Sequence, residues 1–291
     1  MEYRKFYLQN AEGARIDLNG ADAIWARDPV GLGVELSPVT GDLGHGFFKP
    51  LQEANRLQGK PGFTLIFSDR DRNYAQYREL MEWIAAAGDG LQLVYCPSGT
   101  AEFLRRISLR TARKTEKNDV GWLEIPAELV TLTPWYLPSA LNFTLGQESD
   151  ELRFDDGRFD VGLFSETQGE AFSAVINPAG TESASLLITF NGTATGLVLA
   201  LTGLNTGKVY GRCAVSYQIL SGDVLEYSSL PSDSFCRVIR SGVAVDMANY
   251  MDPSSSPWMH VPVTEPCQLT MTATSITGSA TATVHYYYST V

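Results

Sequence analysis

At 291 residues, with 44% hydrophobic and 11% aromatic positions, the chain is long enough and apolar enough to bury the cores of two ordinary domains. Its 33 acidic against 22 basic side chains leave a net charge of −11, which disfavours a phosphate-binding surface and with it stable nucleic-acid binding. The imbalance is concentrated in residues 139–291, which hold 15 acidic and 6 basic side chains. Met1 is followed by Glu2, Tyr3, Arg4 and Lys5 with no apolar stretch behind them, so no secretory signal is expected and a cytoplasmic origin fits. The most apolar run, Leu186 to Leu204, is interrupted by Asn191, Gly192, Thr193 and Gly196 too often to span a membrane.

In chain order, Lys5 to Gln9 and Ala14 to Leu18 flank the turn residues Asn10-Ala11-Glu12-Gly13, which predicts a hairpin. A loop rich in Pro29, Gly31, Gly33, Pro38 and Gly41 follows, and Gly59-Lys60-Pro61-Gly62 then introduces a strand from Phe63 to Phe67. One helix is predicted, from about Tyr74 to Ala87, because Tyr77, Leu80, Met81, Ile84 and Ala85 recur at the spacing of a single buried face. Asn73 with Gln76 reads as a capping box and Gly88 as the left-handed stop. Leu91 to Tyr95, the segment around Phe103 to Leu109, and Gly121 to Val130 read as strands. The first module ends near Thr133-Pro134-Trp135-Tyr136-Leu137-Pro138, where prolines and a charge shift mark a boundary, giving modules 1–138 and 139–291. Beyond it period-2 alternation dominates: Leu186, Ile188 and Phe190, then a turn at Asn191-Gly192, then Leu197, Leu199 and Leu201. Many short strands ending in Ala280 to Tyr288, with no helix, predict a β-sandwich of jelly-roll type.

The chemistry-bearing residues do not cluster. His45, His260 and His285 are far apart, and the four cysteines, Cys96, Cys213, Cys236 and Cys267, show no metal-ligand spacing and read as free, buried thiols. Gly41-Asp42-Leu43-Gly44-His45-Gly46 lacks the lysine and the strand-turn-helix setting of a phosphate loop and reads as a flexible loop. Asp155, Asp156, Gly157 and Asp160 lack the bidentate glutamate of a calcium loop and read as a solvated turn. Trp258, with Tyr250 and His260 nearby, or Tyr286 to Tyr288, could offer an aromatic platform to a sugar ring; core packing is the competing reading. Arg105, Arg106, Arg110, Arg113, Lys114 and Lys117 form the main basic cluster and read as an ion-paired subunit contact. No catalytic site, no metal site and no cofactor is expected.

These elements, in this order, resemble the siphophage distal tail protein family. The resemblance is carried by Phe6-Tyr7-Leu8-Gln9-Asn10 with Gly13 and Ile16-Asp17-Leu18, and by the Pro-x-Gly-Leu-Gly loop Pro29, Gly31, Leu32 and Gly33. It continues through Gly62 with the following strand, the Tyr-containing helix, Lys114-Thr115-Glu116, and the module ending Pro134-Trp135-Tyr136. In the second half Gly222-Asp223-Val224-Leu225-Glu226-Tyr227, Leu230-Pro231, Gly242 and Asp246, and the strand-rich tail from Gly278 also fit. The resemblance implies a mainly β fold: a β-barrel-like, ring-forming N-terminal module with one α-helix, then a galectin-like or jelly-roll sandwich projecting outward. It further implies a virion protein, assembled in the host bacterial cytoplasm, that forms a homohexameric ring at the distal end of the tail. Such a ring joins the tail-tube protein to the tail-tip protein and lets DNA pass through its lumen. Other baseplate or receptor-binding proteins are the partners implied for the C-terminal domain, while the aromatic residues around Trp258 point to host glycans. The alternatives are a carbohydrate-binding host-recognition protein of the tail and a major tail-tube protein.

Overall fold

A computed structural model of the chain describes residues 4–37, 40–44, 47–50, 55–99, 101–146, 171–254, 256–289 and 291. They divide into two units: Met1–Leu137 together with Tyr288–Val291, and Pro138–Tyr287.

The first unit contains β1 (Lys5–Gln9), β2 (Arg15–Asp17), β3 (Ile24–Val30), β4 (Val34–Ser37), β5 (Thr40–Gly44), β6 (Phe47–Pro50), β7 (Asn55–Gln58) and β8 (Gly62–Phe67). The helix α1 (Asn73–Ala87) follows, then β9 (Gln92–Cys96), β10 (Phe103–Ala112) and β11 (Leu123–Thr131), and β12 (Trp135–Asn142) begins within the unit. Strand β10 joins two halves of a sheet. Its start pairs antiparallel with β9, which pairs with β1 and through it β2, while its end pairs with β11, which continues to β8 and β3. The ends of this path meet at one residue: the Leu18 N–H donates to Phe6 O at 3.1 Å and its carbonyl accepts from the Ala26 N–H at 2.8 Å. No ladder among the described residues closes the sheet into a full barrel. The predicted first hairpin is present, with Tyr7 opposite Asp17 and Leu8 opposite Ile16.

Phe6, Phe63, Phe67, Leu93, Ile107 and Ile125 are buried at the centre of the unit, and Leu80 and Ile84 bring the helix onto them. Burying an aliphatic or aromatic side chain of this size is worth about 1.5–3 kcal/mol, so this face fixes the helix more than local propensity does. Tyr77 and Met81 pack beside it as expected, but Ala85 is exposed and Trp83 takes part instead. The predicted capping box is not made. Asn73 is inside the helix and buried, its Nδ2 donating to Gly121 O at 3.0 Å, and Gln76 Nε2 donates to Asp22 O at 2.9 Å. No side chain caps the helix at Arg72; Asp69 Oδ1 accepts from the N–H groups of Asp71 and Arg72, each at 3.1 Å, in the turn that precedes it. Gly88, at φ +50°, ends the helix as the sequence indicated.

The segment expected to be a loop is a β-arm. β4 pairs with β7, and β5 pairs with β6, so Gly41 to Gly44 belong to a strand; His45 and Gly46 lie outside the described residues.

The second unit holds β13 (Thr144–Gly146), β14 (Ala171–Ile176), β15 (Glu182–Thr195), β16 (Leu197–Gly203), β17 (Val209–Val215) and β18 (Val224–Leu230). It continues with β19 (Asp233–Arg240), β20 (Val243–Asp246), β21 (His260–Val261), β22 (Cys267–Thr272) and β23 (Ser275–Tyr288). One sheet has the order β13-β14-β22-β16-β17; facing it are β23-β15-β18-β19-β20, with β21 on the edge of β15. The alternation read from the sequence is borne out: Leu186, Ile188, Phe190, Leu197, Leu199 and Leu201 all point into this sandwich and are buried. Phe172 and Phe190 meet edge to face with ring centroids 6.1 Å apart. The predicted turn at Asn191-Gly192 is not one. β15 runs through it, Asn191 pairs with Ser279 and Gly192 with Gly278, and a Cβ on Gly192 would lie 2.0 Å from Thr277 O, so glycine is there for close strand approach. The chain reverses at Gly196, φ +65°.

His285 on β23 is set among these strands, and burial pushes its imidazole down to about 4. An unfolded histidine takes its proton near pH 6.5, so between there and pH 4 the unfolded chain binds a proton that the folded one refuses. The resulting stability is complete above pH 6.5 and is lost progressively down to pH 4, by about 3 kcal/mol in total. Melting curves at pH 7 and pH 4.5 should therefore show a larger loss for the native chain than for His285→Gln; equal losses would refute this assignment.

Candidate functional site

The two motifs that stand about a hundred residues apart in sequence converge in the first unit. Trp135, at the start of β12, is fully buried, and its indole N–H donates to Leu32 O at 2.9 Å. The Arg105 guanidinium lies over the Trp135 ring, 4.3 Å from its centroid. Burial lowers the Arg105 pKa to about 10, which still leaves it cationic at neutral pH, the state that the electron-rich ring face attracts. Tyr95 approaches the other way at 5.8 Å and stacks on Phe6 at 4.9 Å, continuing an aromatic row into the core. Tyr136 is buried and pairs with Leu104 across β12 and β10, and Pro134 is half-buried. Hence Arg105 does not belong to a surface basic cluster. Of the others, Arg106 donates to Asp89 O, Arg110 faces Glu128 at 4.0 Å, and Lys114 and Lys117 sit over Tyr74.

Leu32 lies at the root of the β-arm. Pro29 is in the bulge of β3, where register with β8 shifts between Arg27 and Val30 and Asp28 adopts φ +52°. Gly31 has φ +67°, and a Cβ there would fall 1.8 Å from Lys60 O; one on Gly59 would fall 2.4 Å from Gly31 O. The Gly59 N–H donates to Gly33 O at 2.9 Å. Glycine is required at Gly31 and Gly59 because two backbones touch as the arm leaves the sheet. Gly33 meets nothing. Trp135 thus pins, from inside the core, the neck from which β4 to β7 extend. Beside the neck, Val30 is 61% exposed, Val130 41% and Leu132 48%. Val30 and Glu128 flank Gly62 in one row of the sheet, which sets these apolar side chains close to the arm's root.

In the second unit the aromatic platform expected around Trp258 is divided. Trp258 is half-buried and tilts against the buried Tyr227 at 6.2 Å, whereas Tyr250 packs against Tyr217 at 4.9 Å. Tyr227 Oη donates to Pro257 O at 2.7 Å and accepts from the Met259 N–H at 2.8 Å, fixing the segment that carries Trp258. Tyr286 and Tyr287 are buried, and Tyr288 meets Phe103 edge to face at 5.2 Å in the first unit. Asp155, Asp156, Gly157 and Asp160 lie outside the described residues. Among the described residues no three His, Cys, Asp or Glu side chains are grouped to hold a metal ion.

A family model of the distal tail protein, N-terminal domain, matches residues 5–131. A chain of the phage P2 baseplate in its activated conformation with calcium superposes with a TM-score of 0.70, at 12% identity over 100% of both chains. The strontium form of that baseplate gives 0.69 at 12% identity, again over 100% of both chains. The SPP1 Dit protein, described as a paradigm of the hub adsorption apparatus in phages infecting Gram-positive bacteria, gives 0.54 at 11% identity, over 97% of this chain and 98% of that one. At these identities the likeness to solved structures is one of fold. No curated protein matches. The resemblance read from the sequence is borne out, as is the mainly β architecture, with one α-helix among the described residues.

Proposed function

We propose that the chain, whose residues 5–131 match the family model of the distal tail protein N-terminal domain, is a structural, non-enzymatic protein of a long-tailed phage. In this reading it forms a homohexameric ring at the distal end of the tail, joining the tail-tube protein to the tail-tip protein and leaving a lumen for DNA. It is assembled in the host bacterial cytoplasm and resides in the virion. Its second unit, Pro138–Tyr287, contacts receptor-binding proteins or, through Trp258, host glycans.

The family match carries this reading, and the geometry at the arm's root supports it. A cyclic ring closes through two different, complementary patches on each subunit. Strands β4 to β7 pair apart from the main sheet beyond the neck held by Trp135, and Val30, Val130 and Leu132 are exposed apolar side chains of the neighbouring strands. Electron microscopy of the purified protein and of particles containing it tests the proposal. The expected result is a six-fold ring seen once or a few times at the tail's end. Repeated stacking along the tail would identify a tube protein instead. A monomer never found at the tail tip would overturn the proposal, and saturable wall-polysaccharide binding lost in Trp258→Ala would then support the carbohydrate-binding alternative.

A further inference from the structure

In the second unit a cleft of about 500 Å³ lies between β17 and the segment that carries Ser254 and Ser256, a size usual for small-molecule sites. Lys208, Tyr210 and Arg212 line one side and the two serines the other. Backbone bonds fix the two walls: the Arg212 N–H donates to Ser256 O at 2.8 Å and the Asp252 N–H to Ala214 O at 3.0 Å. On the strand side the register with β16 shifts, Leu201 facing Gly211 and Thr202 facing Val209, so Tyr210 is the extra residue of a bulge. Bulges re-aim side chains, and this one lets Tyr210 and Arg212 share a cleft with Lys208, which precedes the strand. Tyr210 is a fixed wall, because its Oη donates to Oε1 of the buried Glu265 at 2.5 Å. That carboxylate also accepts from the N–H groups of Asn205 and Thr206 and from Thr206 Oγ1.

Charge sets this cleft apart within an acidic unit. Among the described residues of the unit the basic side chains are Lys208, Arg212, Arg237 and Arg240. Arg237 is tied to Glu226 at 2.6 Å and Arg240 to Asp223 at 2.5 Å. The Lys208 ammonium instead lies over the Tyr210 ring, 4.9 Å from its centroid, and Arg212 makes a single 3.3 Å contact with Asp252 Oδ2. An exposed pair of that length contributes little, and Asp252 is shared with Ser254, whose N–H and Oγ both donate to its Oδ1. The two cations that the unit neutralises least therefore line one cleft, where they repel each other unless an anion joins them. We propose that this cleft binds the phosphate ester of a polyol or sugar. A phosphate monoester carries close to two negative charges at neutral pH, which matches Lys208 and Arg212, and the guanidinium fork suits its oxygens. Ser254 and Ser256 on the facing wall are partners for the ligand's own hydroxyl groups, and Val209 is the one aliphatic side chain lining the cleft. The inference stands on the second unit alone and does not depend on the tail-ring reading.

The test is a titration of the full, isotopically labelled chain with glycerol phosphate, the simplest ligand of this class, read from backbone amide shifts by NMR. The expected result is saturable binding with a Kd of roughly 1 mM, weakening as salt is raised. The shifts should centre on Lys208 to Arg212 and on Ser254 and Ser256. Lys208→Gln and Arg212→Gln should each weaken binding about tenfold, the effect of losing one charge-assisted hydrogen bond. Arg237→Gln, on the facing sheet, should leave it unchanged. Glycerol should not bind, and inorganic phosphate should bind more weakly than the ester. An absence of saturable binding, shifts centred elsewhere, or undiminished binding in the Lys208→Gln/Arg212→Gln double variant would each overturn the proposal. Phosphate binding as tightly as the ester would overturn its polyol part. The location of the shifts on the native chain does not depend on whether any variant folds.

Discussion

Replacing Trp135 with alanine is expected to destabilise the first unit by about 3–5 kcal/mol, the range for emptying a buried aromatic site. For a protein of this size that is a fall in melting temperature on the order of 10 °C. Three losses coincide: the ring's packing against Tyr95, its attraction for the buried Arg105 guanidinium, and the donor to Leu32 O. Trp135→Phe largely separates the last from the others, because it keeps an aromatic ring, though a smaller one, while removing the indole N–H. It should cost about 1–3 kcal/mol, the penalty of leaving a buried carbonyl unpaired, beyond the small change in volume. Hydrogen exchange gives the readout that generic destabilisation would not. In Trp135→Phe the Gly59 amide, bonded to Gly33 O at the neck, should exchange faster while amides of β8 beyond Gly62 keep their protection. Uniform loss of protection across the unit would show that Trp135 does not hold the arm in particular.

The second large effect is expected from Gly31→Ala, at about 3–5 kcal/mol, combining a left-handed conformation with overlap against the Lys60 carbonyl. Gly33→Ala, two residues away in the same motif, should change stability by no more than about 0.5 kcal/mol, since its Cβ would meet nothing. Denaturant unfolding of the two variants checks the contrast. Equal costs would mean that the neck relaxes freely, and the close approach of Gly31 to Lys60 would then have no structural weight. In the ring reading, Gly31→Ala should also impair assembly more than its loss of stability alone accounts for.

Local pattern was a good guide wherever packing follows it. The helix shows its inward face in the 3.6-residue recurrence of Leu80 and Ile84, and β15 and β16 show theirs in the alternation of Leu186 to Phe190 and Leu197 to Leu201. What was not legible depends on partners far away in the chain. Arg105 looks like one charge among several, yet β10 changes neighbours midway, from β9 to β11, and both Leu104 and Arg105 end up buried where strict alternation allows only one. The arm carries Pro38, Pro50 and several glycines, which read as a loop; its ladders join strands such as β4 and β7 that no local window holds together. Asn73 and Gln76 have the right spacing for a capping box, but bonds to Gly121 and Asp22 claim both side chains. The Leu32 to Trp135 hydrogen bond has no local signal at all. Composition marked its two motifs as a loop and a module boundary and family resemblance singled both out, but neither revealed that one anchors the other.

Tyr288–Val291 belong to the first unit although the ribosome reaches them only after passing through every strand of the second. The two units therefore cannot mature in the order in which they are made: the earlier one stays unfinished, its Phe103 ring lacking Tyr288, until the later one has been translated. Synthesis that halts inside the second unit leaves a first unit that is incomplete as well as a missing partner.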